Sequence, residues 1–332
     1  MFCQVWLILL LLVCTQIHAG QSTSSQSVWI DADPACDNKL TNDVDDCWAL
    51  AYALTNTNWN IIGISTIFGN VDGKTSYKVG LNLLREFSKF GVNYPIENLH
   101  AGSNKPIEYS QSSNIAVEAL HLALQKQTLT IIALGPVTNI ALLLKHYPED
   151  INRIQKVICV AGQRNKQKMT FKPQGDGLLH MHDLNFREDV LAFQSLIDSN
   201  IAITLLPFEV AKQVIITRFD LQVSDQTSDL FNWLSGKSDM WLTFWLNGFG
   251  LNGFYPFDLL AVAYAMDSKL FNCEYVNLEI IYRRSLFLTS RSNLVVSPSS
   301  SDTSKNTYCS KISTEAKNTL INHIYRIGKL SK

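Results

Sequence analysis

From about Ser27 onward, short apolar runs alternate with amphipathic stretches of helical length. A strand covered on both faces reads as an unbroken apolar run, whereas a helix lying on a sheet needs only one apolar stripe. The alternation is therefore the pattern of βαβ units. It predicts strands near residues 28–30, 61–66, 130–134, 156–161 and 203–206, and helices over 46–54, 74–90, 115–126, 137–145 and 188–198. The expected fold class is α/β, a single doubly wound, mostly parallel sheet flanked by helices. At 332 residues, 46% of them hydrophobic, the chain has material enough for such a core. No internal repeat is present, and the serine-rich stretch from 297 to 304 reads as a surface loop between two late strands.

Residues 1–19 combine an apolar block with small and polar residues ending at Ala19, the pattern of a secretory signal peptide. The block is short for a membrane span, although its amino-terminal flank lacks Lys and Arg, so an uncleaved anchor is the alternative. Residues 20–26 read as a polar leader, and 27–332 as the folded domain. A secreted protein, free of the membrane once the signal is cleaved, is the expectation. Net charge is −1 with no basic stripe, which argues against a nucleic-acid polymer as partner. Five cysteines follow the signal, an odd number, so at least one stays unpaired within the chain. Cys273 with Cys309 is the first pair to consider, Cys36 with Cys47 the other, and Cys159 reads as a buried thiol.

Six aspartates, Asp31, Asp33, Asp37, Asp43, Asp45 and Asp46, crowd the exit of the first predicted strand, with Lys39 the one cation among them. Crowded carboxylates raise one another's pKa or recruit a cation, and a hard divalent ion with oxygen ligands satisfies them most simply. A solvated acidic loop is the bland alternative. Its position at the carboxyl end of a strand, where open α/β sheets bind ligands, favours a site. An EF-hand fails, because Gly is missing at the sixth position and Asn42 stands where the bidentate Glu belongs. A phosphatase of the haloacid-dehalogenase type would use Asp31 and Asp33, but no later acidic pair at a strand end supports it.

Two further stretches stand out. Residues 163–182 form a long, mostly polar segment carrying Gly175 and Gly177, expected to be a functional loop outside the core. Residues 241–257 crowd aromatics among glycines, either as a packed helix and turn or as a wall for a flat ligand.

The string Ile30-Asp31-Ala32-Asp33-Pro34, continued after an insertion by Val44-Asp45-Asp46-Cys47-Trp48-Ala49-Leu50, resembles the amino-terminal signature of the nucleoside hydrolases, D-x-D-P-G-x-D-D. Ala35 stands where the Gly belongs, and residues 36–43 stretch the middle. Later segments match in order: Gly69-Asn70 after the second strand, His100-Ala101-Gly102-Ser103-Asn104 in the next loop, and Gly135-Pro136-Val137-Thr138-Asn139 at a strand-to-helix turn. Asp183-Leu184-Asn185 is similar to the family's E-x-N with the shorter acid, and Phe257-Asp258 to its last metal-ligand motif.

The resemblance implies one Ca²⁺ held by Asp33, Asp46, Asp258 and the backbone carbonyl of Leu134, with Asp33 as the base that takes a proton from water. It implies that Asp45, Asp183 and Asn185 hold ribose hydroxyls with Asn70 nearby, while Asn139 reads as an ordinary turn or cap residue. Phe257 replaces a His found in many relatives and cannot donate a proton, which resembles the purine-preferring branch, where stacking helps the base depart. Trp241, Trp245, Phe254 and Phe257 are the candidates for that wall, and His180 or His182 for a proton donor. The implied protein is a secreted, Ca²⁺-dependent hydrolase of purine ribonucleosides and, by the same resemblance, a homo-oligomer. A catalytically inactive nucleoside- or sugar-binding protein on the same scaffold is the competing class.

Overall fold

The computed structural model describes residues 26–36, 43–56, 59–108, 110–171, 179–224, 227–284, 290–299, 304–315, 318–320 and 322. The signal peptide, nearly all of the polar leader, and Asp37 fall outside the described residues. In chain order come β1 (Ser27–Ala32), α1 (Asp45–Leu54), β2 (Asn60–Thr66), α2 (Gly73–Lys89), β3 (Leu99–Ala101), α3 (Ile115–Lys126), β4 (Leu129–Ala133), α4 (Thr138–His146) and β5 (Ile154–Cys159). The segment after β5 holds three short strands, β6 (Gln163–Arg164), β7 (Met169–Phe171) and β8 (Leu179–Met181). Then follow α5 (Leu184–Glu188), α6 (Val190–Asp198), β9 (Ile203–Leu205), α7 (Phe208–Ala211), α8 (Asp229–Phe249), α9 (Phe257–Met266), β10 (Phe271–Arg284), β11 (Ser290–Pro298) and β12 (Thr307–Ile312).

Ten strands form the main sheet in the order β3-β2-β1-β4-β5-β9-β12-β10-β11-β6. From β3 to β12 every neighbouring pair is parallel, as the sequence predicts. After β1 the chain builds outward to β2 and β3, then returns to place β4 on the other side. The carboxyl end of β1 therefore opens at the topological switch point, where a crevice forms. The antiparallel pairings of β10 with β12 and β11 were not legible in the sequence.

Alternation along the central strands feeds two cores. Val28, Ile30 and Ala32 of β1 join Ile132 and Ile158 on the face covered by α1, α2, α8 and α9. Trp29 joins Ile131, Val157 and Cys159 on the opposite face, with α3, α4 and α6. The helix expected over 188–198 is broken at Asp189, whose φ of −149° is not helical. Its buried carboxylate caps α6 at Ala192 N and also accepts from Thr138 Oγ1 and Ile107 N, three bonds that a mid-helix residue would forfeit.

Both anticipated disulfides are formed. Cys273 and Cys309 face each other across the β10–β12 pair, and Cys36 is joined to Cys47. Cys159 is a buried free thiol whose pKa is driven up chiefly by burial. No helix among the described residues is long and apolar enough to cross a membrane.

Candidate active site

Asp31 lies within β1 and Asp33 just beyond it, and the two do different work. Asp31 is buried, and its Oδ1 accepts from Ser65 Oγ at 2.6 Å and from Asn139 Nδ2 at 2.9 Å. Ser65 in turn accepts from the indole of Trp29 at 2.7 Å. Burial lifts the Asp31 pKa to about 6, against the pull of those two bonds. Asp31 thus ties β1 to β2 and α4. Asn139 is not an ordinary turn or cap residue: it is 2% exposed, and besides Asp31 it bonds Thr66 O and accepts from Ser103 N and Asn114 Nδ2. It joins four segments in the interior, so its sequence assignment as a cap is corrected.

Asp33 is held on every side. Its Oδ2 accepts from the backbone amide of Asn70 at 2.7 Å, and its own amide donates to Asp46 Oδ1 at 3.1 Å. Gly69 and Gly135 press against the carboxylate. A Cβ at Gly69 would lie 2.0 Å from Asp33 Oδ2, and one at Gly135 2.8 Å from Oδ1. The sequence motif contains both glycines, but only this contact explains why a side chain is excluded there.

Asp45 and Asp46 open α1, and Asp258 lies in the first turn of α9, so two helix amino termini face the acidic group. The amide of Asp258 donates to Asp45 Oδ2 at 3.1 Å, which joins the two helices. Asn70 Nδ2 reaches Asp46 Oδ2 at 3.4 Å, and Asp43 accepts from the amide of Asp45 at 3.0 Å. Asp33, Asp45, Asp46 and Asp258 are at most 6% exposed. Burial first, then the neighbouring negative charges, raises their pKa values: Asp46 to about 7, and Asp33, Asp45 and Asp258 well above the ordinary carboxylate range. Among the described residues none of the four is ion-paired with Lys, Arg or His, and Asp45 Oδ1 is buried without a hydrogen-bond partner.

The carbonyl of Leu134, beyond β4, accepts from Asn185 Nδ2 at 2.6 Å, which leaves one of its lone pairs. Asn185 also donates to Val160 O at 3.0 Å, so it braces the ends of β4 and β5. Asp183 caps α5 and accepts from Gly162 N at 2.6 Å and Phe186 N at 3.1 Å, with a pKa of about 6 set mainly by desolvation. It lines a cleft of about 380 Å³ together with His182, Arg187 and Tyr282, beside β11. His180 and His182 are exposed, and His180 bonds Thr170.

The aromatic stretch is a packed helix and turn whose ring contacts run on to Phe257. Trp245 lies 5.2 Å from Tyr255, which lies 6.3 Å from Phe257, the residue preceding Asp258. Trp241 meets Trp245 at 6.0 Å and stacks on Phe244. The indole nitrogens of Trp241 and Trp245 are buried with no acceptor among the described residues. Phe254 is fully buried, and its backbone bridges Ile216. The segment 163–182 does not stay outside the core, because Phe171 of β7 is 5% exposed and packs on Phe208, Trp245, Phe249 and Tyr255. Its only signal in the sequence is a lone aromatic in a polar stretch.

Another group of donors, His121, Glu149 and Asp150, comes close together at the opposite end of the strands, just before β5. There Asp150 is already bonded to His121 and Gln125 and serves to fasten α3.

The family model described as inosine-uridine preferring nucleoside hydrolase matches residues 28–319. The non-specific ribonucleoside hydrolase RihC of Salmonella schwarzengrund is 23% identical over 272 residues, covering 76% of this chain and 82% of that protein. A probable uridine nucleosidase 2 of Arabidopsis thaliana is 23% identical over 275 residues, 74% of this chain and 79% of its own. Among solved structures, a purine-preferring ribonucleoside hydrolase from Gardnerella vaginalis superposes with a TM-score of 0.72 at 19% identity, covering 92% of this chain and 99% of that one.

Proposed function

The chain belongs to the inosine-uridine preferring nucleoside hydrolase family, enzymes that cleave the N-glycosidic bond of ribonucleosides, and we propose that it is a secreted, Ca²⁺-dependent member acting on purine nucleosides. The observation that carries this reading is the arrangement around Asp33: a buried carboxylate clamped by two glycines and an amide, beside Asp46, with no ion-pair partner among the described residues.

The donor set fits a hard divalent ion. Asp33, Asp46, Asp258 and the Leu134 carbonyl offer oxygen alone, and buried like charges without a counter-ion need one. When bound, Ca²⁺ supplies positive charge that makes a water easier to deprotonate and anchors sugar hydroxyls. Asp33, oriented by the Asn70 amide, would act as the general base that accepts a proton from the attacking water at its carboxylate. Asp45, whose Oδ1 is unpartnered, accepts from a ribose hydroxyl, with Asn70, Asp183 and Asn185 as the further ribose contacts. As the glycosidic bond breaks, the ribose gains oxocarbenium character, and the surrounding carboxylates stabilise that charge.

Phe257 cannot protonate the leaving base, so departure depends on the ring cluster. Phe257, Trp241 and Trp245 offer π faces for a base, and the two unpaired indole N–H groups offer donors to its ring nitrogens or carbonyl. Two disulfides support an oxidising compartment, in keeping with the signal peptide read at 1–19. Purified protein incubated with Ca²⁺ and inosine, adenosine or uridine, with reducing sugar assayed, tests the reading. Faster release from the purine nucleosides is expected. Sugar release no greater than from Asp33→Ala overturns it, and binding without turnover identifies a nucleoside-binding protein.

A further inference from the structure

Cys36 and Cys47 stand at the two ends of the insertion that interrupts the acidic motif. Cys36 comes three positions after Asp33, Cys47 directly follows Asp46, and the two are joined with Cα atoms 6.5 Å apart. Both are buried. Residues 37–42, between them, lie outside the described residues.

The pair of aspartates that the insertion separates has nevertheless stayed in contact. Asp33 and Asp46 are thirteen positions apart, yet Asp33 N reaches Asp46 Oδ1 at 3.1 Å. Asn70 holds both side chains, with its amide on Asp33 and its Nδ2 on Asp46. Lengthening the tether between two groups that must meet raises the entropy lost in holding them together. A covalent link at the neck of the insertion removes the inserted residues from that tether.

We propose that the Cys36–Cys47 disulfide is a positioning element of the cation site, closing off the insertion so that Asp33 and Asp46 meet as though the loop between them were short. The proposal rests on the Ca²⁺-dependent reading above. Its location distinguishes it from the second disulfide. Cys273–Cys309 staples β10 to β12, and no candidate site residue stands next to either half in the sequence. A staple of that kind stabilises the fold, whereas Cys36–Cys47 acts on the separation of two ligands.

Calorimetric Ca²⁺ titration of the wild-type protein, Cys36→Ser/Cys47→Ser and Cys273→Ser/Cys309→Ser tests it, alongside thermal melts in chelator and inosine hydrolysis. The first double variant is expected to bind Ca²⁺ about tenfold more weakly or worse, the scale on which supporting contacts of metal ligands act. Saturating Ca²⁺ should restore most of its turnover. The second should melt at lower temperature yet keep wild-type Ca²⁺ affinity. Unchanged affinity in a folded Cys36→Ser/Cys47→Ser protein overturns the proposal, as does absence of Ca²⁺ binding by the wild type.

If that variant does not fold, the native protein is reduced instead with a water-soluble phosphine. The phosphine takes oxygen from water, the two sulfurs take its hydrogens, and mass analysis confirms the thiols at Cys36 and Cys47. The same loss of affinity is expected, and no loss refutes the proposal. A wild type that binds Ca²⁺ but cleaves no nucleoside refutes the hydrolase reading while leaving this comparison of affinities intact.

Discussion

The amide of Asp258 donates to Oδ2 of Asp45 at 3.1 Å, joining the first turn of α9 to the first turn of α1 across 213 positions of sequence. That bond ties the last member of the acidic group to the pair that opens α1. Asp258→Ala is expected to lose Ca²⁺ affinity and turnover together, by a factor of about 100 or more, because a charged member of the ligand set is removed. Phe257→Ala, one position earlier, should mainly alter the ratio of purine to pyrimidine turnover. Titration calorimetry and parallel inosine and uridine kinetics check the pair. Equal losses on both substrates in the Phe257 variant would count against stacking.

Gly69→Ala should cost activity far more than stability. The added Cβ falls 2.0 Å from Asp33 Oδ2, so the carboxylate must move or rotate. Displacement of a catalytic group by about 1 Å is worth roughly 100-fold in rate. Steady-state kinetics and a denaturant melt on one preparation separate the two effects, and wild-type turnover would show that Asp33 tolerates displacement.

Without metal, the protein should lose stability as pH rises. The pKa of Asp46 stands at about 7 in the fold and that of Asp31 at about 6, against about 4 for an unfolded chain. Between those values the native state binds more protons than the unfolded state. Stability is therefore fully present below about pH 4 and is lost as pH passes through 6 to 7. Saturating Ca²⁺ should abolish the decline and add about 2.7 kcal/mol at a hundredfold excess over Kd. Melts in chelator and in Ca²⁺ from pH 5 to 8 provide the check, and a metal-free melting temperature that rises with pH would contradict it.

Asn139→Ala should destabilise the protein by about 2–4 kcal/mol, since the Asp31 carboxylate and the Ser103 amide lose a buried partner together. Urea denaturation measures this directly. A change below about 0.5 kcal/mol, the range of ordinary surface substitutions, would mean that the interior network is dispensable.

Trp245→Phe keeps the ring and removes an N–H that has no acceptor. Folding stability should change by no more than about 1 kcal/mol, because an unpaired buried donor is itself a cost. The KM for inosine should rise about tenfold if that N–H meets the base. An unchanged KM would confine Trp245 to packing on Phe171 and Tyr255.

The sequence by itself determined the parallel core of the sheet, because buried strands and one-sided helices leave opposite apolar periods. It also located Asp33, Asp45 and Asp46, since local crowding of charge needs no tertiary information to be noticed, and it offered both cysteine pairs that are joined. What it could not supply were relationships between distant residues. Asp258 carries no local mark of its bond to Asp45, and Phe171 reads as a stray aromatic until packing places it against Trp245. Asn139 and Asp189 look like turn and helix residues, yet each spends its side chain on partners from several segments. Only the tertiary structure decided these, because the energy of a buried polar group depends on which partners the fold brings to it, and local spacing does not encode that.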